Sequence, residues 1–149
     1  MQCTYEFELY RGEKHWIIEG FDIDAITEGD DVGDACESAA DLIREMMHDA
    51  LIEGREMPSG FFGHAPTHGG VPVIVSVSTT IEAIPKVSAS EAARRLGVTP
   101  SRITAMIQSK LLDGWREGRN TWVTLDSVEA RKLDIRKPGR PKKETVSLF

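Results

Sequence analysis

Residues Ser88 to Gln108 constrain this chain more than any other stretch, because they dictate two short helices and the turn between them. In order they read Ser-Ala-Ser-Glu-Ala-Ala-Arg-Arg-Leu-Gly-Val-Thr-Pro-Ser-Arg-Ile-Thr-Ala-Met-Ile-Gln. Ser88 or Ser90 can cap the first helix, and Glu91, three residues after Ser88, suits a capping box. Ala92, Ala93 and Leu96 form its compact apolar face and leave Arg94 and Arg95 to solvent. Gly97 ends it where the chain needs a left-handed conformation that only glycine adopts cheaply. Thr99 caps the second helix, and Pro100 fits its first turn, where a missing N–H costs nothing. Ile103, Met106 and Ile107 recur three and four residues apart and pack back on the first helix. Ser101, Arg102, Thr104, Ala105 and Gln108 are left outward, and with the capping Thr99 they make a small, polar and basic set suited to base edges and phosphates.

This stretch resembles a DNA-binding helix-turn-helix, with Ala in the first helix, Gly at the turn and an aliphatic residue where the second helix crosses. An ordinary helical hairpin is the plainer reading of the same spacing. The distribution of charge favours DNA. Residues 1–85 carry 4 Lys+Arg against 17 Asp+Glu, a balance of −13, and residues 86–149 carry 14 against 7, a balance of +7. An acidic half repels nucleic acid and a basic half attracts it.

The acidic half alternates from Cys3 to Tyr10, with Cys3, Tyr5, Phe7 and Leu9 on one face and Glu6 and Glu8 on the other, which predicts a half-buried strand. A turn at residues 11–14 leads to a second strand around Trp16, Ile17 and Ile18, and Ile23 to Thr27 predicts a third. Asp31 is the expected N-cap of a long helix, with Asp34 near its positive end. Val32, Ala35, Cys36, Ala39, Ile43, Met46, Met47 and Ala50 recur at helical spacing and should face the sheet. Glu37, Asp41, Glu45 and Asp49 recur every fourth residue on the other side. They form either a solvated face or a ridge for a basic partner. The helix should end near Gly54, followed by a Gly/Pro loop over Met57 to Pro72 and a closing strand through Val73, Val75 and Val77. One helix against one sheet in this order is a small α+β domain.

The element order, Ile26-Thr27-Glu28-Gly29-Asp30-Asp31 leading into an Ala-rich helix, and Glu56-Met57-Pro58-Ser59 after it resemble HicB-type antitoxins. The resemblance implies a truncated RNase H-like βββαβ domain that binds and blocks a small RNA-cleaving HicA-type toxin, joined to a domain that binds the operon's own promoter. It covers roughly residues 4–80. The chain departs from the family where Ile23-Asp24 follows Asp22, since Pro usually stands shortly after that Asp.

Beyond the two helices, Leu111 to Thr124 predicts a hairpin turning at Gly118 to Asn120, anchored by Trp115, Trp122 and Val123. Asp126 or Ser127 can cap a last helix through Val128 and Leu133. Two helices, a hairpin and a further helix resemble the winged helix-turn-helix of excisionase-like and MerR-like proteins, which implies that Arg116 and Arg119 lie near phosphates or a minor groove. Residues 136–149 form a basic tail. In it Gly139-Arg140-Pro141 resembles an AT-hook, with Arg140 entering a narrow minor groove. The expected domains are 1–85 for toxin, 86–135 for DNA and 136–149 as tail.

Several functions are disfavoured. No run approaches the ~20 apolar residues of a membrane helix, and the opening residues lack a secretory pattern. Cys3 and Cys36 make no disulfide framework, so a reducing cytoplasm is expected. Metal-assisted catalysis needs converging carboxylates. Glu6, Glu8, Asp22 and Asp24 are the candidates, but Glu6 and Glu8 are expected to meet solvent. His64 and His68, in the Gly/Pro loop with His48 elsewhere, are read as parts of a mobile loop and not as zinc ligands. The chain is therefore expected to be no enzyme, to need no cofactor or metal, and to act as a homodimer or higher homo-oligomer. Its expected partners are a toxin and double-stranded operator DNA. The alternative is a phage or mobile-element transcriptional regulator whose N-terminal domain serves only oligomerisation.

Overall fold

The computed structural model describes residues 1–134, and the chain divides into two compact units, one up to Ile84 and one from Pro85 on. Both are mixed α and β, with two separate antiparallel sheets.

In the first unit β1 (Gln2–Arg11), β2 (Trp16–Gly20), β3 (Ile26–Gly29), α1 (Val32–Glu53) and β4 (Val71–Ser78) follow one another. The sheet order is β3-β2-β1-β4. The alternation along β1 sends Tyr5, Phe7 and Leu9 to one face, where they meet Ile18, Val75 and Val77 and are buried under α1. The helix contributes Ala35, Ala39, Ile43 and Met47. Its small residues let the backbone approach the sheet closely, while Ile43 and Met47 fill the remaining volume. Asp31 caps α1 by accepting from the Asp34 N–H at 2.7 Å, and the Asp34 carboxylate accepts from the Asp30 N–H at 2.8 Å.

Two expectations shift here. The third strand begins at Ile26, because residues 20–25 form a tight excursion in which Gly20 N–H donates to the Ala25 carbonyl. Ile23 and Ala25 still reach the core, so their apolar character reported burial and not strand. Val32 lies in the first turn of α1, beyond the reach of the sheet, and is 43% exposed. A short 3₁₀ turn, Ile81–Ala83, closes the unit.

The second unit contains β5 (Lys86–Ser88), α2 (Ala89–Leu96), α3 (Pro100–Gln108), β6 (Gly114–Glu117), β7 (Asn120–Thr124) and α4 (Leu125–Leu133). Ser88 caps α2, accepting from the Glu91 N–H at 3.1 Å, and Thr99 caps α3, accepting from the Arg102 N–H at 3.2 Å. Gly97 has φ 66°, the left-handed C-cap that its position required. Ala92, Ala93, Ile103, Met106, Leu112, Val123 and Val128 form the core.

Three features differ from expectation. The chain entering α2 is itself a strand, β5, paired with β7. Trp115 and Trp122 oppose each other across the hairpin, on the face opposite Val123, and of the three only Val123 belongs to the buried core, the two Trp residues being half-buried. The last helix is capped by Thr124, which accepts from the Ser127 N–H at 3.3 Å, and its Leu133 is 79% exposed. Thr124 can serve because β7 ends in extended backbone at that residue.

Candidate nucleic-acid interface and a carboxylate-anchored loop

The cap at Thr99 and the proline behind it aim the first turn of α3 away from the core, and Ile103 and Met106 hold the other side of the helix down. Ser101, Arg102, Thr104, Ala105 and Gln108 are consequently all exposed. The hairpin turn between β6 and β7 lies beside this helix. Arg119, Asn120 and Thr121 line one cleft with Pro100, Ser101 and Thr104 of α3 and with Ser88 to Ser90 at the start of α2. The structure thus brings Ser101, Thr104 and Arg119 together. Arg102, Ala105 and Gln108 sit on α3 outside that cleft, and Thr99 is occupied as the cap. The Arg116 Nε donates to the Gly118 carbonyl at 3.1 Å, so this side chain braces the turn. Arg140 lies outside the described residues.

Two helix N-termini converge on the cleft, each with a positive dipole end, and hydroxyls and a guanidinium stand beside them. Such a surface suits the phosphates of a polyanion. On the first unit, Glu37, Asp41, Glu45 and Asp49 lie along one face of α1, opposite the buried row. Asp41 is paired with Arg44 at 2.7 Å, which interrupts the run of negative charge.

The sheet face opposite α1 is not solvated as expected. Glu6 and Glu8 are 5% and 2% exposed, because residues 57–70 fold across them as a third layer. Glu8 accepts from the N–H groups of Thr67 (2.8 Å), His68 (2.8 Å) and Gly70 (3.0 Å) and from the Thr67 hydroxyl (3.1 Å). Glu6 accepts from the N–H groups of Gly63 (3.1 Å) and His64 (2.7 Å). The His64 ring is bonded at Nδ1 to Glu6 (2.8 Å) and at Nε2 to Asp22 (3.1 Å), and it stacks between Phe21 and Phe61. Both ring nitrogens are thus engaged by carboxylates from two different segments, which fixes the orientation of the ring. His68 stacks on Tyr10 and approaches Glu8 at 3.3 Å. At the two ends of the loop, the Tyr5 hydroxyl donates to the Pro58 carbonyl at 2.6 Å, and a side chain at Gly70 would strike the Leu9 carbonyl oxygen.

Burial raises the Glu8 carboxyl, but the N–H groups of Thr67, Gly70 and His68 and the His68 ring outweigh it and lower it to about 2. The N–H of Gly63 leads the same effect at Glu6, whose carboxyl is also held below its ordinary value. These carboxylates hold the loop, and the histidines expected to be mobile are its anchors. The sequence does hold a signal for this arrangement. Glu6 and Glu8 are two apart on one strand face, His64 and His68 are four apart in the loop, and one histidine serves each carboxylate.

The fold and its surfaces define a two-unit α+β protein, with an acidic unit and a second unit in which two short helices are joined by a tight turn. No family model matches the sequence, and no curated protein matches it. Among the described residues no helix is long and apolar enough to cross a membrane.

Proposed function

We propose that this protein is a HicB-type antitoxin that neutralises a small HicA-type RNA-cleaving toxin through its N-terminal unit and represses its own operon through the C-terminal one. The N-terminal unit then corresponds to the truncated RNase H-like domain of that family, and the C-terminal unit to a winged helix-turn-helix with the β6–β7 hairpin as wing. The observation that carries the reading is the outward face of α3, bare of packing and set beside a hairpin turn bearing Arg119. Opposite balances of charge in the two units support the division of labour. The acidic unit suits a basic RNA-binding toxin, and the basic unit suits an operator.

The test is to express residues 1–84 together with the toxin gene adjoining this one, and separately to measure operator binding by the full chain and by the fragment. Growth should be restored by the fragment, while only the full chain should protect promoter DNA. Continued toxicity in the presence of the folded fragment would remove the antitoxin reading. Operator binding by the full chain with no toxin partner would support the transcriptional-regulator alternative.

A further inference from the structure

The two edges of the first sheet are built differently. β3 is four residues long, carries Glu28 and is followed at once by Asp30 and Asp31. Short length and charge are the usual means by which an exposed edge is kept from pairing with another chain. β4 is eight residues long, Val-Pro-Val-Ile-Val-Ser-Val-Ser, and carries no charge. It sits within residues 57–81, which contain no Asp, Glu, Lys or Arg, although residues 1–85 carry a balance of −13. Ile74 is 59% and Val71 55% exposed.

The hydrogen-bond phase of β4 can be read from its neighbours. Thr79 N–H donates to the Met1 carbonyl, and the Phe21 N–H donates to the Glu6 carbonyl. Given the pairings Cys3 with Val77, Tyr5 with Val75 and Phe7 with Val73, the odd residues of β4 bond inward to β1. The even residues, Pro72, Ile74, Ser76 and Ser78, turn their backbone groups to the open edge. Among the described residues those groups have no backbone partner. Pro72, which has no N–H, falls in the outward phase, where it breaks no bond to β1.

We infer that this edge is the interface with a second copy of the chain, the two β4 strands pairing antiparallel about a two-fold axis to make one continuous eight-stranded sheet. Charge decides the occupant. Two copies of an acidic unit repel one another over most of their surface, and the uncharged edge lets them meet without opposing carboxylates. A basic partner would instead be drawn to the acidic faces. Placing the axis at Val75 sets Ile74 against Ser76 of the other copy and Pro72 against Ser78, which uses the whole strand. Such a register makes about six backbone hydrogen bonds, with the Pro72 carbonyl still accepting. The inference is independent of the antitoxin reading, because it needs only the strand and its charge.

The test uses the purified full chain alone. Residue-resolved amide exchange would be followed at high concentration and on dilution, for wild type and for Ile74→Lys, whose side chain is exposed. The N–H groups of Ile74, Ser76 and Ser78 should be protected at high concentration and lose that protection on dilution. They should be unprotected in Ile74→Lys at every concentration. Val73, Val75 and Val77 report the intact β1–β4 ladder, and should remain protected in both proteins. Should the three outward amides exchange freely at all concentrations in wild type while the inward ones stay protected, the edge is open and the inference is wrong. Protection of the outward amides that persists in Ile74→Lys at every concentration would equally overturn it, since it would point to a partner within the same chain.

Discussion

At the scale of single residues, Glu8 carries the most testable chemistry. Both of its oxygens accept from loop donors, so an amide nitrogen in place of either would face N–H groups that have no acceptor. Glu8→Gln should therefore destabilise the N-terminal unit by about 1–3 kcal/mol, the cost of leaving buried donors unmade. The pH dependence follows from the sign of the shift. A carboxyl lowered on folding adds stability above its unfolded value, and that stability is lost as pH falls through the folded value. For Glu8 the window runs from 4.5 down to about 2. The difference in Tm between wild type and Glu8→Gln should accordingly be full at neutral pH and shrink across that window. An equal difference at both ends would mean that the carboxylate charge is not what holds the loop. In the other unit, Arg102 and Gln108 are the longest exposed side chains on α3 and stand six positions apart. Under the proposed function, Arg102→Ala should weaken operator binding more than binding to random DNA, by about 1–3 kcal/mol of lost discrimination. Footprinting with competitor DNA checks this, and wild-type protection by the variant would assign the reading to another element.

At the scale of elements, α1 turns a buried row of Ala35, Ala39, Ile43, Met47 and Ala50 to the sheet and leaves an acidic row on its far side. Those acids contribute little to the fold, since exposed ion pairs such as Asp41 with Arg44 are worth at most about 1 kcal/mol. Under the proposed function their role is in association with the toxin. Replacing Glu37, Asp41, Glu45 and Asp49 together by lysine should slow capture of a basic toxin at low salt and reduce the salt dependence of the rate, because charges at the rim of an interface act mainly on encounter. Stopped-flow mixing over a range of salt would measure it. An unchanged rate would place the toxin on a different face, the Phe61 and Phe62 side of the loop being the next candidate, with exposures of 64% and 55%.

At the scale of the whole molecule, the charge division separates what each unit can approach. The C-terminal half owes much of its +7 to residues 136–149, which carry five Lys and Arg and one Glu. Under the proposed function, deleting them should lower DNA affinity nearly uniformly over sequences and flatten the dependence on salt, since every phosphate the protein no longer neutralises takes about 0.9 off the logarithmic slope. A titration of binding against salt for the full and shortened chains would show it. If the slope is unchanged, the tail neutralises no phosphates and the folded unit supplies all of the attraction.

Much of this architecture was legible in the order of residues. The period-two alternation at Cys3 to Tyr10, the Asp31 and Thr99 caps, Gly97 at its left-handed turn and the helical spacing of Ile103 and Met106 are local rules. Such rules act over a few residues and need no distant partner. What only tertiary structure decided was the fate of polar groups far apart in sequence. Glu6 and Glu8 alternate with core residues just as solvated carboxylates do, and nothing adjacent to them announces the loop at residues 57–70. Their burial depends on backbone N–H groups of Gly63, His64, Thr67, His68 and Gly70 arriving together, which makes desolvation tolerable. The same holds for β5, whose three residues have no strand signature of their own and are drawn into a ladder by β7. Sequence determines which face of an element is apolar; only the folded chain determines what covers the other one.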